Sequence, residues 1–248
     1  MLATLQLEIR SEKDRLNIAH SSMLQGVMMQ MIDPDYAEQM HESVLHPYSQ
    51  YLETGENTVW NINTLTDEAY EKIILKMQKP DFQRFHIEKK DMDVEIVKKS
   101  VIMLDERELL QEFYEKPMER MIKLEFITPT SYKSNGNYMI IPDLRLLYQS
   151  LMNKYSAVSE ELEMFDEEAL EQLQMHSYIS EYRLRTNRFP LEGTAVPGYQ
   201  GTIGVRFKGS ETMARYIRLL CRFGEFSGAG IKTAMGMGAL KICKEKRG

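Results

Sequence analysis

The residues with the most chemical potential are the histidines and a glycine-rich stretch near the C-terminus. Five histidines occur in 248 residues: His20, His41, His46, His86 and His176. Histidine titrates near neutrality, so it can give or take a proton at physiological pH. The run His41-Glu42-Ser43-Val44-Leu45-His46 superficially looks like a zinc-protease helix. In that motif the histidines stand four apart. Here they stand five apart, about 140° around a helix of 3.6 residues per turn. The pair cannot chelate one ion from a single helical face. A metal-dependent hydrolase built on His41, Glu42 and His46 is therefore the weakest reading, and neither a metal nor another cofactor is expected.

The C-terminal stretch runs from Gly228 to Gly238 as two Gly-x-Gly pairs, Gly228/Gly230 and Gly236/Gly238, separated by five residues. Glycine permits positive φ and lets backbone N–H groups approach a ligand that a Cβ would hold away. Such a nest can accept phosphate oxygens, with Lys232 adding charge and Thr233 beside it. The spacing fits neither a dinucleotide fingerprint nor a P-loop, because Thr233 stands where the third glycine would be and Ile231 precedes the lysine. A glycine-rich bend before an edge strand is the bland alternative; two pairs flanking a lysine favour phosphate or RNA contact. Arg183 and Arg185 alternate on an extended stretch and share one face, with Arg188 on the other. Their guanidinium forks suit phosphate. Tyr182 and Tyr199 are candidates to stack bases.

The elements that must position these groups follow from periodicity. Residues 2–10 alternate as a strand. Residues 13–32 carry apolar side chains at helical spacing, ending at Asp33-Pro34-Asp35. Extended stretches are expected at 44–52 and 57–63, a helix capped by Thr66 runs through 78, and strands follow at 82–87 and 93–102. The second half repeats that order. It has a strand at 120–128, an Asn135-Gly136 turn before 137–141, and a helix over about 143–155. Extended stretches at 176–189 and 199–208 are followed by a helix from Ser210 to Gly224 and a last strand at 237–243. Two β-α-β-β-α-β units predict an α+β fold of two tandem ferredoxin-like domains, 1–115 and 116–248. The eighteen methionines read as adaptable core or interface packing. His86 and His176 read as structural.

Charge is uneven. The net charge is −6, yet residues 176–248 hold 13 basic and 5 acidic side chains. A locally positive surface binds phosphate whatever the overall balance. Glu160 to Glu171 holds seven acidic residues and no basic one, which reads as a solvated helix face or loop. A mean hydropathy of −0.42 and the absence of a long apolar run exclude a membrane-spanning helix. Two cysteines without ligand spacing suit a reducing cytoplasm.

The glycine pattern resembles the signature of the CRISPR-associated repeat-RNA endoribonucleases, the Cas-six family. The resemblance extends to Leu24-Gln25-Gly26 in the first helix, to Met40-His41-Glu42 and to Pro47-Tyr48-Ser49, and it covers effectively the whole chain. It implies His41 at the family's catalytic histidine position. It also places His46 near a position where many relatives carry a lysine, and Met29 where the family often has a tyrosine. His20 is a secondary candidate. The implied activity is metal-independent cleavage of CRISPR repeat RNA to release guide RNAs. Attack by the 2′-hydroxyl would leave a 2′,3′-cyclic phosphate and a 5′-OH. The implied partners are repeat RNA and other CRISPR effector subunits, with a homodimer possible. The rival reading is an RNA-binding subunit that holds guide RNA without cutting it.

Overall fold

The computed structural model describes residues 1–42, 45–115, 119–159, 165–191 and 193–243, without the side chains of His41, Glu42 and Glu106. Strand β1 (Leu2–Arg10) forms where the alternation predicts it, burying Leu2 to Leu5 in succession and then only every second residue, Leu7 and Ile9. Helix α1 is shorter than its apolar spacing suggested. Residues 13–17 are not helical; a 3₁₀ turn over Ile18–His20 leads into α1 (Ser21–Met31). Asp33-Pro34 ends α1 but also begins a second helix, α2 (Pro34–Glu42), because proline at the first helical position sacrifices only an N–H that would be unpaired anyway.

Strands β2 (Tyr48–Thr54) and β3 (Thr58–Thr64) form a hairpin, the first beginning four residues later than expected. Thr66 caps α3 (67–77) through its hydroxyl, which accepts from the Ala69 N–H at 3.1 Å. Strands β4 (Arg84–Ile87) and β5 (Met92–Leu104) complete a sheet of order β2-β3-β1-β5-β4. This is the ferredoxin-like order with β4 added at one edge.

Helix α4 (Glu106–Glu115) precedes the second unit, and the expected boundary at 115/116 adjoins residues outside the description. Strand β6 (Met121–Thr130) is followed by a small hairpin of β7 (Tyr132–Ser134) and β8 (Asn137–Met139). Helix α5 (Leu144–Val158) is capped by Asp143, and α6 (Glu167–Met175) by Asp166. The acidic run is thus partly the first turn of α6, where carboxylates suit the positive helix end, and Leu170 and Leu173 on that helix are fully buried.

Strand β9 (Ser177–Leu191) and strand β10 (Thr194–Phe207) form one long hairpin, so Pro197 and Gly198 lie in a strand and not in the loop expected there. Pro197 is tolerated because β6 pairs with β10 only from Tyr199 onward, leaving that end of β10 an edge. Helix α7 (Glu211–Ser227) passes through Gly224, the expected stop. There a Cβ would lie 2.8 Å from a Leu240 methyl and 3.0 Å from one of Leu151, so glycine serves close helix packing. Strand β11 (Leu240–Ile242) closes a second sheet of order β11-β6-β10-β9, again the ferredoxin-like order.

Each unit has its own core. One gathers Trp60, Leu24, Met28 and Ile62; the other gathers Leu124, Tyr148, Leu151 and Leu220. A third cluster of eight buried side chains joins them, including Leu2, Leu65 and Leu104 from the first unit and Tyr155, Phe223 and Phe226 from the second. Fully burying one such side chain stabilises by about 1.5–3 kcal/mol, so the two units are packed together. No helix among the described residues is long and apolar enough to cross a membrane.

Candidate nucleic-acid interface and catalytic segment

Strand β2 organises the site because it is the edge strand on which the glycine-rich loop docks. Gln50 Nε2 donates to the carbonyls of Ser21 (2.9 Å) and Ala234 (3.2 Å), and Trp60 Nε1 donates to Gln50 Oε1 (3.0 Å). A second buried chain runs from Thr4 to Asn63 (2.7 Å), from Asn63 to Ser49 (2.8 Å) and from Ser49 to the Phe226 carbonyl (2.5 Å). Buried polar groups need partners. Here those partners tie the start of α1, strand β2, the end of α7 and the loop into one rigid unit.

The loop glycines are set by the backbone. Gly228, Gly230, Gly236 and Gly238 all have positive φ, from 63° to 113°. A Cβ on Gly230 would stand 2.3 Å from the Ser131 carbonyl oxygen, and one on Gly238 would stand 2.0 Å from that of Ala229. Most loop N–H groups are used internally: Ala229 donates to Gly238, Ile231 to Ser131, Gly238 to Pro129, and Gly230 to the Ser150 hydroxyl at 2.9 Å. The glycines therefore shape the loop, and their own N–H groups are not the phosphate cradle that the sequence suggested.

Three consecutive N–H groups, of Lys232, Thr233 and Ala234, make no hydrogen bond among the described residues. They open the 3₁₀ turn Thr233–Met235. Lys232 is exposed, sits in the left-handed region at φ 57°, and forms no ion pair among the described residues. The Thr233 hydroxyl faces inward and accepts from the buried Lys154 ammonium at 3.1 Å.

Arg183 and Arg185 lie two apart on β9, opposite Thr202 and Gln200, so the alternation correctly put them on one face. They line a cleft with Asn17, Ile18 and the Leu52–Thr54 end of β2. Gln200 in its floor is held by Asn187 (2.9 Å), Arg185 (3.3 Å) and the Ile127 carbonyl (2.6 Å). Tyr182 is 75% exposed and available for stacking. Tyr199 is not: it is 1% exposed and packed edge-on against Phe126, with ring centres 4.8 Å apart.

The candidate catalytic histidines lie at the other end of β2. His41 falls in the last turn of α2, its side chain outside the described residues. His46 precedes β2, outside any helix, so the two do not share a helical face. The His46 ring lies 5.4 Å from that of Tyr48. Tyr48 is buried, accepts a hydrogen bond from Gln25 Nε2 at 2.9 Å, and has its phenol pushed up to about 12 by burial, so it stays neutral. Gln39, Met40, Leu45 and Pro47 flank the histidines and line a cleft with Tyr155 and Val158. That cleft shares no lining residue with the Arg183–Arg185 cleft.

His20 is buried in a capping box, its Nδ1 3.1 Å from the Asn17 amide nitrogen and 3.2 Å from the Asn17 carbonyl oxygen. His86 is a surface residue 2.8 Å from an Asp93 oxygen. Periodicity could not reveal Gln50 or Lys154. Each reads in sequence as an ordinary polar residue, and its role depends on a neighbour more than 70 positions away.

Residues 124–240 match the family of the CRISPR-associated endoribonuclease Cas6. A Cas6 of Streptococcus thermophilus is 34% identical over 223 residues, 89% of this chain and 90% of that protein. A Cas6 of Mycobacterium tuberculosis is also 34% identical, over 96% of this chain and 77% of its own length. A solved Cas6 product complex superposes with a TM-score of 0.78 at 22% identity, covering 98% of this chain and 100% of the other. A Thermus thermophilus Cas6 gives 0.73 at 22%, covering 98% of each chain. These likenesses extend well beyond the glycine loop, through both ferredoxin-like units, and the chain belongs to the Cas6 family of CRISPR-associated endoribonucleases.

Proposed function

We propose that the protein cuts CRISPR repeat RNA by attack of a ribose 2′-hydroxyl on the adjacent phosphorus, with no metal ion required. A base removes the 2′-proton, and an acid protonates the departing 5′-oxygen. The products are a 2′,3′-cyclic phosphate and a 5′-hydroxyl. His41 is the proposed proton-transfer residue, and His46 supplies either the second transfer or positive charge to the phosphorane. Lys232, the adjacent N–H groups of Thr233 and Ala234, Arg183 and Arg185 hold the RNA backbone.

One observation supports this reading above the rest: Gln50 of β2 holds Ala234 of the loop, and His46 lies two residues before the start of that strand. One short segment of chain thus leads from a proton-transfer candidate to the strand that holds the phosphate-binding loop. Lys232 adds to it: it is exposed, held in the left-handed region and forms no ion pair among the described residues, which suits a cation kept for a ligand.

The rival, a subunit that binds without cutting, is favoured by Met29. It occupies the place where the family often has a tyrosine, and it packs against the first core. Incubation with the neighbouring genomic repeat RNA in excess EDTA separates the two. One discrete cut is expected; tight binding with intact RNA would select the rival. The reading places the protein in the cytoplasm, alone, as a homodimer or beside other effector subunits.

A further inference from the structure

Lys154 is a charged residue buried in the second unit, and the proposed cleavage chemistry does not use it. It lies on α5 and is 8% exposed. Its ammonium donates to the Ser227 carbonyl, the Gly228 carbonyl and the Thr233 hydroxyl, each at 3.1 Å. An ammonium has three donors, and here three oxygens meet them. Two of those oxygens are carbonyls at the C-terminal end of the 17-residue α7, where the helix has no further N–H to offer and its dipole favours a cation. The third belongs to the first residue of the turn that carries the unpaired N–H groups. One side chain therefore clasps the entry of the loop to its tip.

We propose that Lys154 is the positioning residue of the RNA-contacting loop, its protonated form pinning Thr233 against the end of α7 so that the N–H groups of Lys232–Ala234 keep one arrangement. This rests on the loop binding RNA, as proposed above. Charged groups on the surrounding elements are engaged elsewhere: Arg222 pairs with Glu225 on α7, and Lys241 on β11 pairs with Glu53 at 2.7 Å. Lys232 is exposed. Burial alone pushes the Lys154 ammonium down to about 7. Above that pH the neutral amine has only two donors for three acceptors, and the clasp opens.

The sign of the effect on folding is opposite. The unfolded chain keeps the ordinary lysine value of about 10.4, so between about pH 7 and 10 it binds the extra proton, and this group makes the fold more stable as pH rises. A residue that only filled space would change stability with pH and leave RNA affinity alone.

The experiment measures binding of repeat RNA made uncleavable by a 2′-deoxy at the cut site, from pH 6.5 to 9, for wild type, Lys154→Met and Thr233→Val. At pH 6.5 Lys154→Met is expected to bind at least tenfold more weakly, while on unmodified repeat RNA its single-turnover cleavage rate at saturating protein should lie within threefold of wild type. Wild-type affinity should fall towards that of the variant as pH rises, and the variant's should change less. Thr233→Val removes one end of the clasp and should weaken binding about three- to tenfold, which keeps the test open if Lys154→Met does not fold. Wild-type affinity in folded Lys154→Met, or unchanged affinity in Thr233→Val, overturns the assignment while RNA binding stands. Failure of the wild type itself to bind repeat RNA removes the reading on which the assignment rests.

Discussion

His41→Ala is expected to lower the single-turnover rate of repeat-RNA cleavage by about 10²–10⁴-fold, the usual contribution of a general acid or base. RNA affinity should stay within about threefold of wild type, because the proposed phosphate contacts lie elsewhere: at the loop on the middle of β2 and at the Arg183–Arg185 cleft near its far end. His46→Ala should cost less if that residue supplies only charge. The melting temperature measured beside the rate separates lost chemistry from a lost fold. Wild-type cleavage by a folded His41→Ala protein would remove this residue from the mechanism.

Gly230→Val should damage folding and binding together. Valine at φ 79° is costly on its own, about 1–2 kcal/mol for leaving the allowed regions and more for a β-branched side chain. Its Cβ would lie 2.3 Å from the Ser131 carbonyl oxygen, so the backbone must shift. That shift strains the Ile231 N–H bond to the same oxygen, worth about 0.5–1.5 kcal/mol net. A total near 3 kcal/mol lowers the melting temperature by roughly 6–12 °C for a chain of this size.

Lys232→Ala provides the contrast. It is exposed and should melt like wild type, yet it should bind more weakly and flatten the salt dependence by less than about one unit of log–log slope. Melting and filter-binding titrations on both variants check this. If both fold normally and bind repeat RNA like wild type, the loop is only a connection between α7 and β11.

The fold was largely legible because it rests on local signals. Alternation marked β1, Thr66 and Ser210 announced their helices, and the repeated element order gave two ferredoxin-like units. The misreadings came where tertiary contacts override local ones. Gly224 looks like a helix stop, yet α7 runs on through it, and glycine stands there because Leu240 and Leu151 leave no room for a side chain. Pro197 and Gly198 look like a loop, yet they form the free end of a long hairpin.

The same division holds at the site. The glycine spacing located the loop, but only the structure shows that the N–H groups without a partner among the described residues are those of Lys232, Thr233 and Ala234. Tyr199 looked like a base-stacking surface and is core. Gln50 bridges Ser21 and Ala234, residues 29 and 184 positions away, a relation that no spacing rule encodes.

Everything proposed for cleavage depends on the RNA's own 2′-hydroxyl being the nucleophile. The most direct measurement compares cleavage of repeat RNA with that of the same RNA carrying one 2′-deoxy nucleotide at the cut site, both in EDTA, with product ends resolved by mass. The first RNA should yield a 2′,3′-cyclic phosphate and a 5′-hydroxyl, and the second should bind and stay uncut. Full cleavage of the deoxy-substituted RNA, or products bearing a 5′-phosphate, would contradict it.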